Sequence, residues 1–257
     1  MTYLIPHIAV LNASDGTCTD GEIDAMIMAI QHQVTYQFRP WWGVNASIQR
    51  YADESAIPTA ANVWTCRILN QSDVHGAGGY HEETHGVPDL KVFAGDLNRL
   101  GASVSVAFSH EVLEALGDPL GNQSVQVGRG IFWAMEACDA VEADQFGYDI
   151  PVGDTNITVS DFVTRQWWNV GDPPPYDYKR HLTRPLQLLA GGYIGEWSAS
   201  TQRWTQRVAD ETAPASRRIA LRNARLGDAD TERYGPAERI EGQLRLADEA
   251  VGSGPRR

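Results

Sequence analysis

Near the middle of the chain the residues GASVSVAFSHEVLEALGDP set His110, Glu111 and Glu114 in an otherwise oily stretch. In a helix, His110 and Glu114 would share one face, with Glu111 displaced by about 100°. Phe108, Val112, Leu113 and Leu116 surround them, so the helix is expected to be buried on most sides. A buried carboxylate needs a cation or hydrogen-bond partners. No Lys or Arg lies between Arg99 and Arg129, which leaves a metal ion as the simplest partner.

In HExxH proteases two histidines at this spacing bind zinc, and the Glu after the first is the general base toward the attacking water. Here Glu114 stands in place of the second histidine. One His and two carboxylates leave a divalent ion formally neutral, which makes it a weaker Lewis acid than a two-His, one-Glu site. Either surrounding groups compensate or the metal is harder than zinc. The segment EACDAVE at 136–142 offers the third ligand: Glu136 first, with Asp139 and Glu142 as replacement ligands or supporting partners. Strand alternation would turn Cys138 to the same face as Glu136, although a buried Cys is ordinarily a small hydrophobe. The expected cofactor is one divalent metal, Zn2+ first.

A rival motif stands upstream. His81-Glu82-Glu83-Thr84-His85 spells HExxH literally, but Gly78, Gly79, Gly86 and Pro88 flank it, and Glu83 and Thr84 occupy positions where a buried metal helix carries apolar residues. It reads as a coincidence in a loop or bulged edge at 76–88. His81 could still bind substrate or polarise a carbonyl from such an edge. Tyr80 and Tyr148 are weaker candidates for stabilising an oxyanion, and the pairs Trp41-Trp42 and Trp167-Trp168 read as core or interface.

The elements that position these residues are read from pattern. Residues 3–11 read as an early strand. Thr19 and Glu22 form a capping box ahead of Ile23, Met26, Ile27, Ile30 and Val34, a helix expected to end near Phe38, before Pro40. Residues 44–51 and 62–69 read as strands, as do DLKVFAGD and GIFWAMEACDAVE; 156–169 is a mixed apolar stretch, and LLAGGYIGEWSASTQRWTQRV is a hairpin turning at 198–202. Ser103 is the expected N-cap of the central helix and Gly117-Asp118-Pro119 its stop. The class is α+β, with few helices and a mixed or antiparallel sheet, the mixed sheet taken first and packed on a buried metal-binding helix.

The 257 residues carry 21 basic and 33 acidic side chains, a net charge of −12, which argues against a nucleic-acid partner. Residues 210–257 hold nine Arg and nine acidic residues and few large apolar ones, so a single domain over 1–209 with a polar tail after it is expected. Three cysteines do not make a disulfide scaffold, and no apolar run spans a bilayer. The N-terminus lacks a basic region ahead of an apolar core, so a cytoplasmic or virion-associated placement without a signal peptide or membrane partner is the expectation.

The stretches NVWTCRILNQSDVHGAGGYHEETHGVPDLKVF, SVSVAFSHEVLEALGDP, EACDAVEAD, VSDFVTRQWW and LLAGGYIG together resemble a little-characterised phage and bacterial group of HExxE zinc metallopeptidases of zincin type. The resemblance covers residues 6–208. It implies a zincin-like fold, metal roles for His110, Glu111 and Glu114, and importance for residues 79–81 and for Glu136, Asp139 and Glu142. Such relatives often carry Pro after the aspartate, where this chain has Ala140. The reading that results is a metal-dependent peptidase with Glu111 as general base, His110, Glu114 and Glu136 as ligands, and a peptide or protein substrate lying along 76–95. A metal-stapled structural or virion-associated protein is the first alternative, a Ca2+-stabilised binding module the second.

Overall fold

The computed structural model describes residues 5–73 and 77–209. The tail expected at 210–257 lies outside the described residues. The fold is α+β. Strands β1 (His7–Ala13), β2 (Ser47–Tyr51), β3 (Val63–Leu69), β4 (Gly79–Thr84) and β5 (Val87–Phe93) form a mixed sheet in the order β2-β1-β3-β5-β4. All neighbours pair in parallel except β4, which runs antiparallel to β5 along the sheet edge. The stretch expected as a loop or bulged edge is therefore a regular edge strand. Its hairpin closes through His85 and Gly86, both at positive φ (55° and 85°), the left-handed pair that a two-residue turn requires.

Helix α1 (Asp20–His32) opens on the expected capping box: Thr19 Oγ1 accepts from the Glu22 amide while Glu22 Oε2 accepts from the Thr19 amide. The predicted stop before Pro40 does not hold. The chain passes through a wider π turn at Gln33–Phe38 and continues as α2 (Arg39–Trp42), ending at Gly43 with φ 75°. Pro40 falls in the first turn of α2, where a missing N–H costs little.

After β5 come α3 (Ala94–Leu100) and the central helix α4 (Val104–Gly117), whose N-cap is Ser103, accepting from the Val106 amide. Every residue from Val106 to Leu116 is buried. One side of α4 meets β4 and β5; another meets the hairpin of β8 (Tyr148–Val152) and β9 (Thr155–Val159). Ile8, Val10, Ile68, Leu90 and Val92 from the sheet join Ile23, Ile27 and Ile30 of α1 and Phe108, Val112, Leu113 and Leu116 of α4 in one core. At about 25 cal/mol per Å² of apolar surface removed from water, these side chains stabilise the layer that holds α4 in place.

A second, antiparallel sheet has the order β11-β10-β7-β6, from β6 (Ser124–Gly128), β7 (Ile131–Ala134), β10 (Tyr193–Ser198) and β11 (Arg203–Val208). The β10–β11 pair is the terminal hairpin expected from the sequence. The strand expected across 130–142 stops at Ala134, so alternation does not govern residues 135–142: Glu136 lies in irregular chain, and Asp139–Val141 form a 3-10 turn. No described helix is long and apolar enough to cross a membrane.

Candidate metal centre

Helix α4 brings His110, Glu111 and Glu114 to the centre of the molecule, at 1%, 3% and 1% exposure. The helical spacing sets His110 Nε2 3.0 Å from Glu114 Oε2, and the turn after β7 sets Asp139 Oδ1 3.4 Å from the same nitrogen. Yet neither nitrogen of His110 makes a hydrogen bond. Two donors each about 2.0–2.1 Å from a tetrahedral ion stand roughly 3.3 Å apart, so these separations suit ligands around a common ion. A buried imidazole nitrogen without a hydrogen bond, facing two carboxylate oxygens at that spacing, fits a metal centre.

The supports of this cluster come from two separated parts of the chain. The Cys138 amide donates to Glu114 Oε1 at 3.3 Å, and Cys138 is the third member of a buried His110–Glu114–Cys138 group that could hold a metal. The Tyr193 hydroxyl, from β10, donates to Asp139 Oδ1. Gly192 makes that reach possible: a Cβ there would stand 2.3 Å from the Ala140 carbonyl oxygen. Tyr193 was not among the sequence candidates. It lies 54 residues from Asp139, and no local pattern connects them.

Glu111 turns toward the edge strand. Its Oε2 lies 3.6 Å from His81 Nδ1, and Gly79, two residues earlier and on the same face of β4, packs so closely that an added Cβ would meet Glu111 Oε1 at 2.8 Å. His81 Nε2 is buried without a hydrogen-bond partner. His81, Glu111 and Glu114 form a second buried group that could hold a metal, sharing Glu114 with the first. His85, by contrast, sits in the exposed hairpin turn.

Burial and charge crowding shift the titration of His110, His81, Glu114 and Cys138. Burial opposes protonation of His110, but the charge of Glu114 and the Asp139 carboxylate outweigh it and raise its pKa well above the usual imidazole value. For His81 burial is likewise outweighed, by the Glu111 carboxylate and by the charges of Glu136 and Glu114, and the pKa rises to about 9. Burial and the charge of Asp139 push Glu114 up to about 8, with His110 pulling the other way. Glu136 therefore acts electrostatically on both sides of the centre. Burial and the Glu114 charge raise the Cys138 thiol well above its normal range. Glu142 is buried at 3% exposure, one residue past the 139–141 turn.

Neither tyrosine considered for an oxyanion role faces this way. The Tyr80 hydroxyl bonds Asp73 and accepts from Lys91, and the Tyr148 hydroxyl donates to Gln37 Oε1 and accepts from Gln33. Trp42 and Trp167 are core residues, as expected for the paired tryptophans. Comparison with protein-family models, curated proteins and solved structures gave no match to this chain.

Proposed function

We propose that the protein is a zincin-like metallopeptidase in which His110, Glu114 and Asp139 hold one divalent metal, Zn2+ first, and Glu111 is the general base. The observation that carries this reading is the placement of His110 Nε2 between Glu114 Oε2 and Asp139 Oδ1 without a hydrogen bond to either. Asp139 takes the third-ligand role expected of Glu136 because it contacts Nε2 and is oriented by Tyr193. When bound, the ion would supply Lewis acidity and make a water at the site more acidic, less strongly than a two-His, one-Glu site does.

The chain's own residues supply the rest. Glu111, one helical residue past His110 and turned about 100° from it, takes the proton of the attacking water and hands it to the leaving amine. Its carboxylate is held against Gly79 and His81 rather than swinging free, so little reorganisation is needed at the moment of transfer. β4 ends the sheet, and an extended peptide adding a strand along its outer edge would lie beside Glu111.

A second reading, a metal-stapled structural protein, is favoured by one observation: Glu111 is almost solvent-free. Glu111→Gln separates the two. A peptidase loses about 10³-fold or more in kcat on a peptide-library digest while its zinc content is unchanged. Turnover retained by Glu111→Gln removes the proposed base, and a wild type that binds zinc but cleaves nothing leaves the structural reading.

A further inference from the structure

A second set of donor atoms converges at the other end of β9. Ser160, just past that strand, is held by the Ser109 hydroxyl of α4, and the next residue, Asp161, is fully buried. Asp177, also fully buried, lies against it from the opposite side of a local bridge between Val163 and Asp177. His181 Nδ1 hydrogen-bonds Asp161 Oδ2 at 3.3 Å and stands 3.5 Å from Asp177 Oδ2, and these ligand atoms lie within 4.8 Å of one another.

Both carboxylates are held by the backbone. Asp161 Oδ1 accepts from the Phe162 and Lys179 amides; Asp177 Oδ1 accepts from Leu182 and its Oδ2 from His181. Two carboxylates side by side and out of water both ionise only with a cation between them, and without one they share a proton. The nearest lysine in sequence does not serve, because the Lys179 ammonium lies over the Tyr148 ring.

A separate feature says that this region needs a tie. Residues 169–192 contain no helix or strand apart from the bridge at Asp177, yet they bury Tyr176, Leu182 and Leu189. Irregular stretches longer than about 12–15 residues are uncommon in compact domains unless something anchors or uses them.

We propose that Asp161, Asp177 and His181 form a second divalent-cation site, independent of the centre on α4, that pins the irregular segment 169–192 to the end of β9. Two carboxylates and a neutral imidazole carry no net charge once a divalent ion is bound, so filling the site buries no excess charge. The nitrogen ligand and the small number of oxygens select Zn2+ or Mn2+ over Ca2+, which takes about six to eight oxygens. The His181 side chain is 38% exposed, so an ion can enter from solvent and water can complete its shell.

The test uses the full chain, incubated with ZnCl2, freed of excess by gel filtration and analysed for metal by mass spectrometry. Wild type is expected to hold about two zinc ions per chain, His110→Ala and His181→Ala about one each, and the double variant none. Zinc should also raise the unfolding temperature of His110→Ala, and adding His181→Ala should abolish that rise. Because the imidazole is part-exposed, His181→Ala leaves the fold in place; Asp161→Asn, of equal volume, is the second variant and should lose the same ion. A His181→Ala chain with the full wild-type zinc content overturns the proposal, as does a His110→Ala chain that takes up neither Zn2+ nor Mn2+. Failure of the α4 centre alone would look different, with one ion kept in His110→Ala and none in His181→Ala.

Discussion

Two segments of this chain begin with the same letters and come to opposite ends. HEETH starts in β4 and ends in the turn after it, whereas HEVLE lies wholly in α4. Along a strand, residues four apart are separated by roughly 13 Å, and His85 ends in an exposed turn, far from any shared ligand position. Along a helix the same interval rises about 6 Å and keeps one face, which brings His110 and Glu114 within 3.0 Å. The motif with the better spelling has the wrong backbone. What survives of it is His81, which meets the helical motif at Glu111, so the two strings converge on one pocket from opposite sides.

The sharpest way to break the comparison is substitution at equivalent positions. Glu114→Ala is expected to lose the metal of the α4 centre and all hydrolysis, and to strand His110 in an apolar environment, at a cost on the order of 3 kcal/mol in stability. His85→Ala should change neither metal content nor melting temperature beyond about 0.5 kcal/mol. Zinc analysis and thermal unfolding of the two proteins side by side decide it; metal lost from His85→Ala and kept in Glu114→Ala would move the centre to the edge strand.

The contact between the two strings is tested by Gly79→Ala. The new methyl would stand 2.8 Å from Glu111 Oε1, 2.9 Å from Glu111 Cγ and 3.0 Å from the Lys91 carbonyl oxygen. The backbone oxygen belongs to the paired strand and cannot move aside, so Glu111 has to. Overpacking of this kind costs about 1–3 kcal/mol, and a displaced base lowers kcat by about 10²-fold with metal retained. Unchanged kcat on a peptide substrate would show that the position of Glu111 does not matter.

Acid–base behaviour offers a third, smaller effect. The folded pKa values of Glu114, at about 8, and His81, at about 9, lie above the ordinary values of 4.5 and 6.5, and His110 is raised as well. The metal-free fold therefore binds more protons than the unfolded chain over roughly pH 5 to 9, and its stability is lost as the pH rises through that window. Metal binding displaces those protons, so its stabilising effect grows with pH. Melting curves of chelated and zinc-loaded protein at pH 6 and pH 9 should show a gap that widens at the higher pH. A gap that narrows would argue against ligation by these groups.

Much of this architecture could be read from single residues. Ser103 and the apolar wrap of Phe108, Val112, Leu113 and Leu116 announced α4, and the Thr19–Glu22 box announced α1, because caps and helical periodicity are local signals. β4 was hidden because its signature residues serve the site instead. Gly79 is small to admit Glu111, and the turn is His-Gly rather than the usual Asn-Gly or Asp-Gly. The passage through Pro40 was hidden because the π turn at Gln33–Phe38 leaves no mark in composition. The convergence of Asp161, Asp177 and His181, and of Tyr193 on Asp139, depends on chain crossings in three dimensions that no spacing rule encodes.

Tyr193→Phe gives the smallest effect and bears on which acid completes the α4 centre. The lost hydroxyl removes one hydrogen bond to Asp139, worth about 0.5–1.5 kcal/mol to the fold, and leaves the ring packing intact. If Asp139 is a ligand, freeing it weakens metal affinity by roughly 10–100-fold, since partners that orient ligands contribute on that scale. Zinc competition against a chelator measures this directly. Affinity that stays unchanged in Tyr193→Phe but falls in Glu136→Gln would return the third position to Glu136, the first of the acidic residues that the 136–142 segment offers.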